Sequence, residues 1–299
     1  MIEELDELNR LFTSKNVEDI IKFYDHFDNA DQLIEWMKDR PSAPMKIYEV
    51  VGDKDIVIVI PTADHNGEYA NNCVNEIFKG QQIVFVESNG PFFNYARSCN
   101  FGLKYALVYN PKWIILSNDD VTKYDDFKKL KSQLSNLDSK STDVAFLKNN
   151  TFRPYDISSI LVRETALLRF FRKFSKNHYY QSLKDKFNLQ LDVIGKRRLL
   201  KRFNSFFYHN LKQFYDFFDF IIISNNYLSS CNEFFDSTFI NGYEDHFRSY
   251  ILSNENRAES FVEFNIGSVG GHTLGLNYIR KLREIASLVY FNYSIKKVK

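Results

Sequence analysis

A chain of 299 residues, 44% apolar, has enough hydrophobic material for one large domain or two modest ones, and 39 basic against 38 acidic side chains give no overall charge that would select a polyanionic partner. With only 11 Gly and 6 Pro beside 29 Phe and 18 Tyr, low complexity and disorder are excluded. Three cysteines, Cys73, Cys99 and Cys231, are odd in number and form no C-x-x-C pair, which argues against a disulfide framework or a cysteine zinc site and fits a reducing compartment.

Residues 1–40 carry helical periodicity, read as two amphipathic helices closed by Pro41 and Pro44. The opening, "MIEELDELNRLF", is acidic and lacks the pattern of a signal peptide, and no apolar run reaches the ~18 residues of a membrane span. The expected location is cytoplasmic, with contact at a membrane surface left open. Residues 1–53 are taken as an N-terminal helical extension.

From Lys54 the texture changes. "DIVIVIPT" is a β-branched run of the kind buried on both faces of a sheet. A helical stretch over 68–78 follows, then a strand "QIVFVES", a turn "NGP", a helix "NYARSCNFGLKYALVYN" and a strand "WIILSN". This alternation predicts right-handed crossovers and a mostly parallel, Rossmann-like sheet flanked by helices. A helix in "YDDFKKLKSQL" and a strand in "DVAFLK" come next.

Residues 163–215 hold thirteen Lys and Arg against three acids, interleaved with aromatics, as in "RFFRKFSKNHYY". The segment is read as a mainly helical basic insertion. Three readings stand: a solvated excursion, a contact with a membrane surface or lipid phosphate, and, less favoured, a nucleic-acid surface. Beyond it lie a strand "FDFIIIS", the stretch "FFDSTFINGYEDHFRSYIL", a strand "SFVEF", the Gly-rich "NIGSVGGHTLG" and a final basic helix over 276–299.

Ligands of open parallel sheets bind beyond the carboxyl ends of the strands. Three polar turns, "PTADHNG", "ESNGP" and "SNDDV", fall there, so the acidic pair is part of a crevice rather than an isolated solvated turn. No Gly-rich phosphate cradle is present. Asp119 and Asp120 can neutralise phosphates through a divalent cation instead.

At these residues the chain resembles the GT-A nucleotide-sugar glycosyltransferases of the family 2 type. The matching pieces, in order, are "IVIVIPT", "VFVESNG", "ARSCNFGLKYAL", "WIILSNDDV" and "FDSTFINGYEDHFRSYIL", within roughly 54–125 and 219–275 of a domain placed at 54–275. The resemblance implies an inverting, metal-dependent transfer of a sugar from a nucleoside-diphosphate sugar to a glycan, lipid-linked or protein acceptor, with Mn²⁺ or Mg²⁺ as cofactor. "NDD" would stand for the D-x-D motif, with Asn118 in place of its first Asp. Asp120 would be the main metal ligand, with Asn118 or Asp119 touching ribose or the metal through water, and His272 of "GGHTLG" ligating the metal or contacting the diphosphate. Pro61, Thr62, Asp64, Glu87 and Asn89 would shape and contact the base and ribose, and Arg97 the diphosphate. In "GYEDHF", Asp245 would be the catalytic base, and Glu244 would bind acceptor or donor sugar. The alternatives are a sugar-phosphate nucleotidyltransferase, whose Gly-rich basic loop is missing after the first strand, and a nucleic-acid- or membrane-binding module built on a degenerate transferase domain.

Overall fold

The computed structural model describes residues 2–148, 154–156, 161–163, 178–189, 191–193, 213–215, 220–255, 257–269 and 278–298. Three helices open the chain: α1 (Ile2–Thr13), α2 (Val17–Asp25) and α3 (Ala30–Asp39). The sequence reading expected two. Asparagine caps divide the stretch, because Asn16 accepts from the Glu18 amide and Asn29 from the Gln32 amide, each satisfying an orphan donor of a new helix.

Seven strands build the main sheet: β1 (Lys46–Val50), β2 (Asp53–Thr62), β3 (Gln81–Glu87), β4 (Trp113–Ser117), β6 (Val144–Leu147), β11 (Phe220–Ser224) and β12 (Glu259–Val262), ordered β1-β3-β2-β4-β11-β6-β12. The pairs β2–β3, β2–β4 and β6–β12 are parallel. β1 runs against β3, and β11 runs against both β4 and β6. The protein is therefore α/β with a mixed sheet in which five strands share one direction. β1 belongs to this sheet, although residues 46–50 were grouped by sequence with the helical extension. β11 enters after the long excursion 148–219 and escapes the crossover rule that aligns β2, β3 and β4. β5 (Val121–Lys123) and β13 (Ile266–Ser268) form a separate ribbon directly after the acidic turn.

Strict alternation makes two cores. On β2, Ile56, Ile58 and Ile60 face one side, with Ile83, Phe85, Trp113 and Ile115 from its neighbours. Val57 and Val59 face the other, with Val84, Val86, Ile114 and Leu116. Helices cover both faces: α4 (Glu68–Asn72) and α6 (Phe127–Ser135) one, α5 (Tyr95–Ala106) the other. α4 runs on into a π-helical turn, Cys73–Ile77. Gly102 lets α5 sit close on the sheet, since a Cβ there would lie 2.5 Å from Cγ1 of Val59 and from Cγ2 of Val86.

A third core is mainly helical. Phe12, Phe23, Tyr24, Trp36 and Met37 pack with Leu282, Ile285, Leu288 and Phe291 of the last helix, Tyr278–Lys297. The Tyr24 hydroxyl donates to the Leu282 carbonyl at 2.6 Å. The two ends of the chain thus share one layer.

Of the basic insertion, a helix over His178–Lys186 and the short strands β8 (Leu161–Arg163), β9 (Leu191–Val193) and β10 (Gln213–Tyr215) are described, β10 pairing with β7 (Pro154–Asp156). The rest of it, with the mainly helical expectation for it, lies outside the described residues, as does His272. Among the described residues no helix is long and apolar enough to cross a membrane.

Gly102→Ala is expected to destabilise the protein by about 1–3 kcal/mol through overpacking against two buried valines. Urea unfolding with an unchanged midpoint would contradict this account of the α5 contact.

Candidate functional site

β2, β3 and β4 end side by side, and the polar turns that follow them interlock. Thr62 closes β2 opposite Glu87 on β3. Its hydroxyl donates to Asp119 Oδ2 at 2.6 Å and receives the Asp64 amide at 3.2 Å. The first and third turns are therefore joined by one side chain. Pro61 is buried in the strand just before it. Asn89, exposed after β3, donates to the Ala63 carbonyl at 3.3 Å and closes the second turn onto the first.

The acidic turn is walled on one side by the π-helical turn. The Cys73 thiol approaches the Asp119 carbonyl at 3.3 Å, and the Asn72 amide reaches the Val121 carbonyl. Such π turns often sit at functional sites. Asp120 is only 7% exposed, and its carbonyl accepts from Val269, which anchors the ribbon to the turn. Burial pushes the Asp119 carboxyl above its ordinary range; the Thr62 hydrogen bond opposes this, and the Asp120 charge adds to it. Two carboxylates so placed repel each other, and a divalent cation relieves that repulsion. The donor set suits a hard ion with oxygen ligands.

A second group that can hold a cation lies at the next strand end. Ligand atoms of Asp64, His65 and Glu87 fall within 4.8 Å of one another. The His65 amide and Nδ1 both lie on Glu87 Oε2, at 3.1 and 2.5 Å, and these bonds hold the Glu87 carboxyl below its usual range. The His65 ring stacks on Tyr48 of β1 with centroids 3.4 Å apart and planes 7° from parallel. Sequence reasoning singled out Asp64 and Glu87 but had no case for His65. Its partner Tyr48 sits on a strand that the helical reading had hidden.

On the opposite flank, the Tyr95 hydroxyl donates to Asn118 Oδ1 at 2.8 Å, and its backbone amide donates to Asn241 Oδ1 at 2.8 Å. One residue of α5 thereby couples the acidic turn to the loop bearing "GYED". Asn241 and Tyr243 both take left-handed backbone, φ +49° and +70°, an unfavourable geometry for a bulky tyrosine. That twist launches the helix Glu244–Asn254. Glu244 folds back so that Oε2 accepts the Gly242 amide at 2.6 Å, leaving the residue 6% exposed. Burial, then the neighbouring Asp245 charge, raises its pKa to about 7. Asp245 Oδ1 lies 3.0 Å from His246 Nδ1.

Arg97 lies in the first turn of α5. It donates to the Ser42 hydroxyl, and its charged neighbours are Arg40 and Glu233. Sequence reasoning also missed Arg40, the C-cap of α3. It is 5% exposed and donates to the carbonyls of Ser237, Thr238 and Phe239 at 2.8–3.1 Å. Nothing in "MKDRP" distinguishes it from a surface arginine.

No protein-family model matches the chain, and no curated protein shows significant similarity to it. What fold and site define together is an α/β protein whose polar turns, at the ends of β2, β3 and β4, include an acidic pair that Tyr95 links to the loop carrying a second carboxylate pair.

Glu244 titrates near 7 when folded, against a reference value of 4.5. Between those values the folded chain binds more protons than the unfolded one, so this group's contribution is fully present at low pH and is lost as pH rises through about 7. Glu244→Gln keeps an acceptor for the Gly242 amide without the charge. It should change stability little at about pH 5 and raise it at about pH 8 by on the order of 3 kcal/mol. Parallel stability–pH curves for both proteins in urea would rule out the assignment.

Proposed function

We propose that the chain is an inverting, metal-dependent glycosyltransferase of the GT-A, family 2 type, which moves a sugar from a nucleoside-diphosphate sugar to an acceptor hydroxyl. The observation that carries the reading is the link between two carboxylate pairs: Asp119 and Asp120 after β4, and Glu244 and Asp245 on the far side of Tyr95. A sugar transfer of this kind needs both, one to manage the leaving diphosphate and one to take the acceptor proton.

Asp120 and Asn118 are the residues that would hold Mn²⁺ or Mg²⁺, which when bound supplies Lewis-acid neutralisation of the leaving diphosphate. Thr62 fixes Asp119 so that its carboxylate presents a constant face to the donor ribose. Asp64 and Glu87, joined by His65, offer acceptors and a flat aromatic surface at the height of a nucleobase. Tyr95 keeps Asn118 oriented.

Asp245 takes the acceptor proton in this scheme. It is the more open carboxylate of its pair, and His246 beside it steadies its orientation. Glu244, buried and protonated for much of the time near neutral pH, adds a hydrogen-bonding group without adding a full charge. Arg97, which donates to the Ser42 hydroxyl, is the residue that would contact the diphosphate.

A thermal-shift screen of nucleoside diphosphates with and without Mn²⁺, followed by hydrolysis assays on UDP- and GDP-sugars, tests the scheme. Asp120→Ala should abolish metal-dependent donor turnover. Asp245→Asn should keep donor binding and lose turnover by roughly 10²–10⁴-fold, the usual range for a general base. A fully active Asp245→Asn enzyme would remove that assignment, and the absence of any donor binding would remove the transferase reading.

A further inference from the structure

A cavity of about 550 Å³ opens where the helical layer meets the loops of the site. Its walls include Lys15 between α1 and α2, Arg280, Arg283 and Glu284 on the last helix, Pro91 from the turn after β3, and Asn241 from the "INGYED" loop. None of the acidic turn lines it. The cavity lies on the acceptor side of Asn241, the residue that Tyr95 ties toward the donor side. Gly242 is its neighbour as well, since a Cβ there would lie 3.5 Å from Cγ of Glu284.

The charge of this cavity is positive. Arg280 Nε donates to Glu284 Oε1 at 2.8 Å, so the one carboxylate is matched by one of three cations. Arg283 is held in place, with its Nη2 donating to the Ser14 carbonyl at 2.7 Å and its guanidinium over the Phe12 ring. Its Nε is buried with no hydrogen-bond partner. Burial also lowers the pKa of this guanidinium, the expected response of a cation short of a counter-charge. The two cations not matched by Glu284 leave the cavity positive, and an oxyanion is the ligand that such a surplus favours.

We propose that this cavity is a binding subsite for a phosphate group carried by the acceptor. The inference rests on the transferase reading for the word acceptor, whereas the anion site itself rests on Lys15 and Arg283. Fixing a phosphate here places the remainder of the molecule against Asn241 and Gly242, next to Glu244 and Asp245. The cavity's apolar walls, Phe12 and Ile240 among them, suit the body of a sugar or the head of a lipid chain. Its cationic walls, Lys15, Arg280 and Arg283, lie outside the stretches that resemble a transferase, whereas Ile240 and Asn241 lie within them.

The full-length chain is titrated calorimetrically with inorganic phosphate. On the same samples, binding of nucleoside diphosphate with Mn²⁺ is measured separately. Lys15→Gln should weaken phosphate binding several-fold and Arg283→Gln by about tenfold or more, while Glu284→Gln tightens it. Lys15 is exposed and its replacement leaves the core untouched, so the test survives if Arg283→Gln unfolds. Flotation with phosphatidylcholine vesicles, with and without phosphatidic acid, distinguishes the sources: Lys15-dependent capture assigns the phosphate to a lipid, and Lys15-dependent binding of inorganic phosphate alone assigns it to a soluble acceptor. Equal phosphate affinity in wild type, Lys15→Gln and Arg283→Gln, or no binding at millimolar phosphate, overturns the subsite. Lys15-dependent phosphate binding without any nucleotide binding keeps the anion site and rejects its link to transfer.

Discussion

A single buried guanidinium ties the N-terminal helices to the loop that carries the second carboxylate pair. Arg40 ends α3, and its donors are spent on backbone carbonyls of Met37 within the helical layer and of residues 237–239 in the loop that leads to Glu244. Burial pushes its pKa down to about 9, yet Asp236 and Glu244 lie near enough to offset part of that cost. Asn94, the N-cap of α5, donates to two of the same carbonyls, at 2.7 and 3.3 Å. The loop that carries the second carboxylate pair therefore has little secondary structure of its own and is held from outside. Polar backbone that is buried must find partners somewhere, and here they come from the N-terminal helices and from α5.

That dependence changes the meaning of the N-terminal helices. Their apolar faces close against the last helix, and the Tyr24 hydroxyl both donates to the Leu282 carbonyl and accepts the Ala286 amide. Ser287 of the same helix exchanges hydrogen bonds with the backbone of Ile240. The loop is thus gripped from three directions, by α3, α5 and the last helix. A rigid frame of this sort keeps the left-handed residues Asn241 and Tyr243 in place, since a strained backbone persists only where its surroundings determine it.

Electrostatics at the strand ends follow one rule. Acidic groups are gathered at strand and helix ends, and three are restrained by a neutral or cationic neighbour: Asp119 by Thr62, Glu87 by His65, Asp245 by His246. Glu244 is held by the Gly242 amide instead, and burial raises its pKa to about 7. The basic cavity beside it complements this negative crevice, and the two meet at Asn241. A substrate bearing both an apolar or sugar body and a phosphate would bridge regions of opposite sign.

How much could be read beforehand varies with the range of the interaction involved. The strands "DIVIVIPT", "QIVFVES", "WIILS" and "FIIIS" are legible because a strand buried on both faces must be apolar at every position, and each was found where the run lies. Their parallel order across β3, β2 and β4 followed from the helices between them. The three polar turns were legible for the same reason, as the points where apolar runs stop. His65 was not, because its partners Tyr48 and Glu87 are assembled by strand pairing. β1 was missed since a half-exposed edge strand of five residues carries no period strong enough to stand out. Arg97 was legible as a cation on α5, but its contact with Ser42, 55 residues away in the chain, was not. By itself, then, the sequence determined the strands of the parallel half, the helices between them and the acidic ends where a ligand can bind, all matters of local pattern. Only the tertiary structure decided the antiparallel entry of β11, the burial of Arg40, the pairing of His65 with Glu87 and the joining of the chain's two ends, because each depends on groups far apart along the chain whose meeting no local period records.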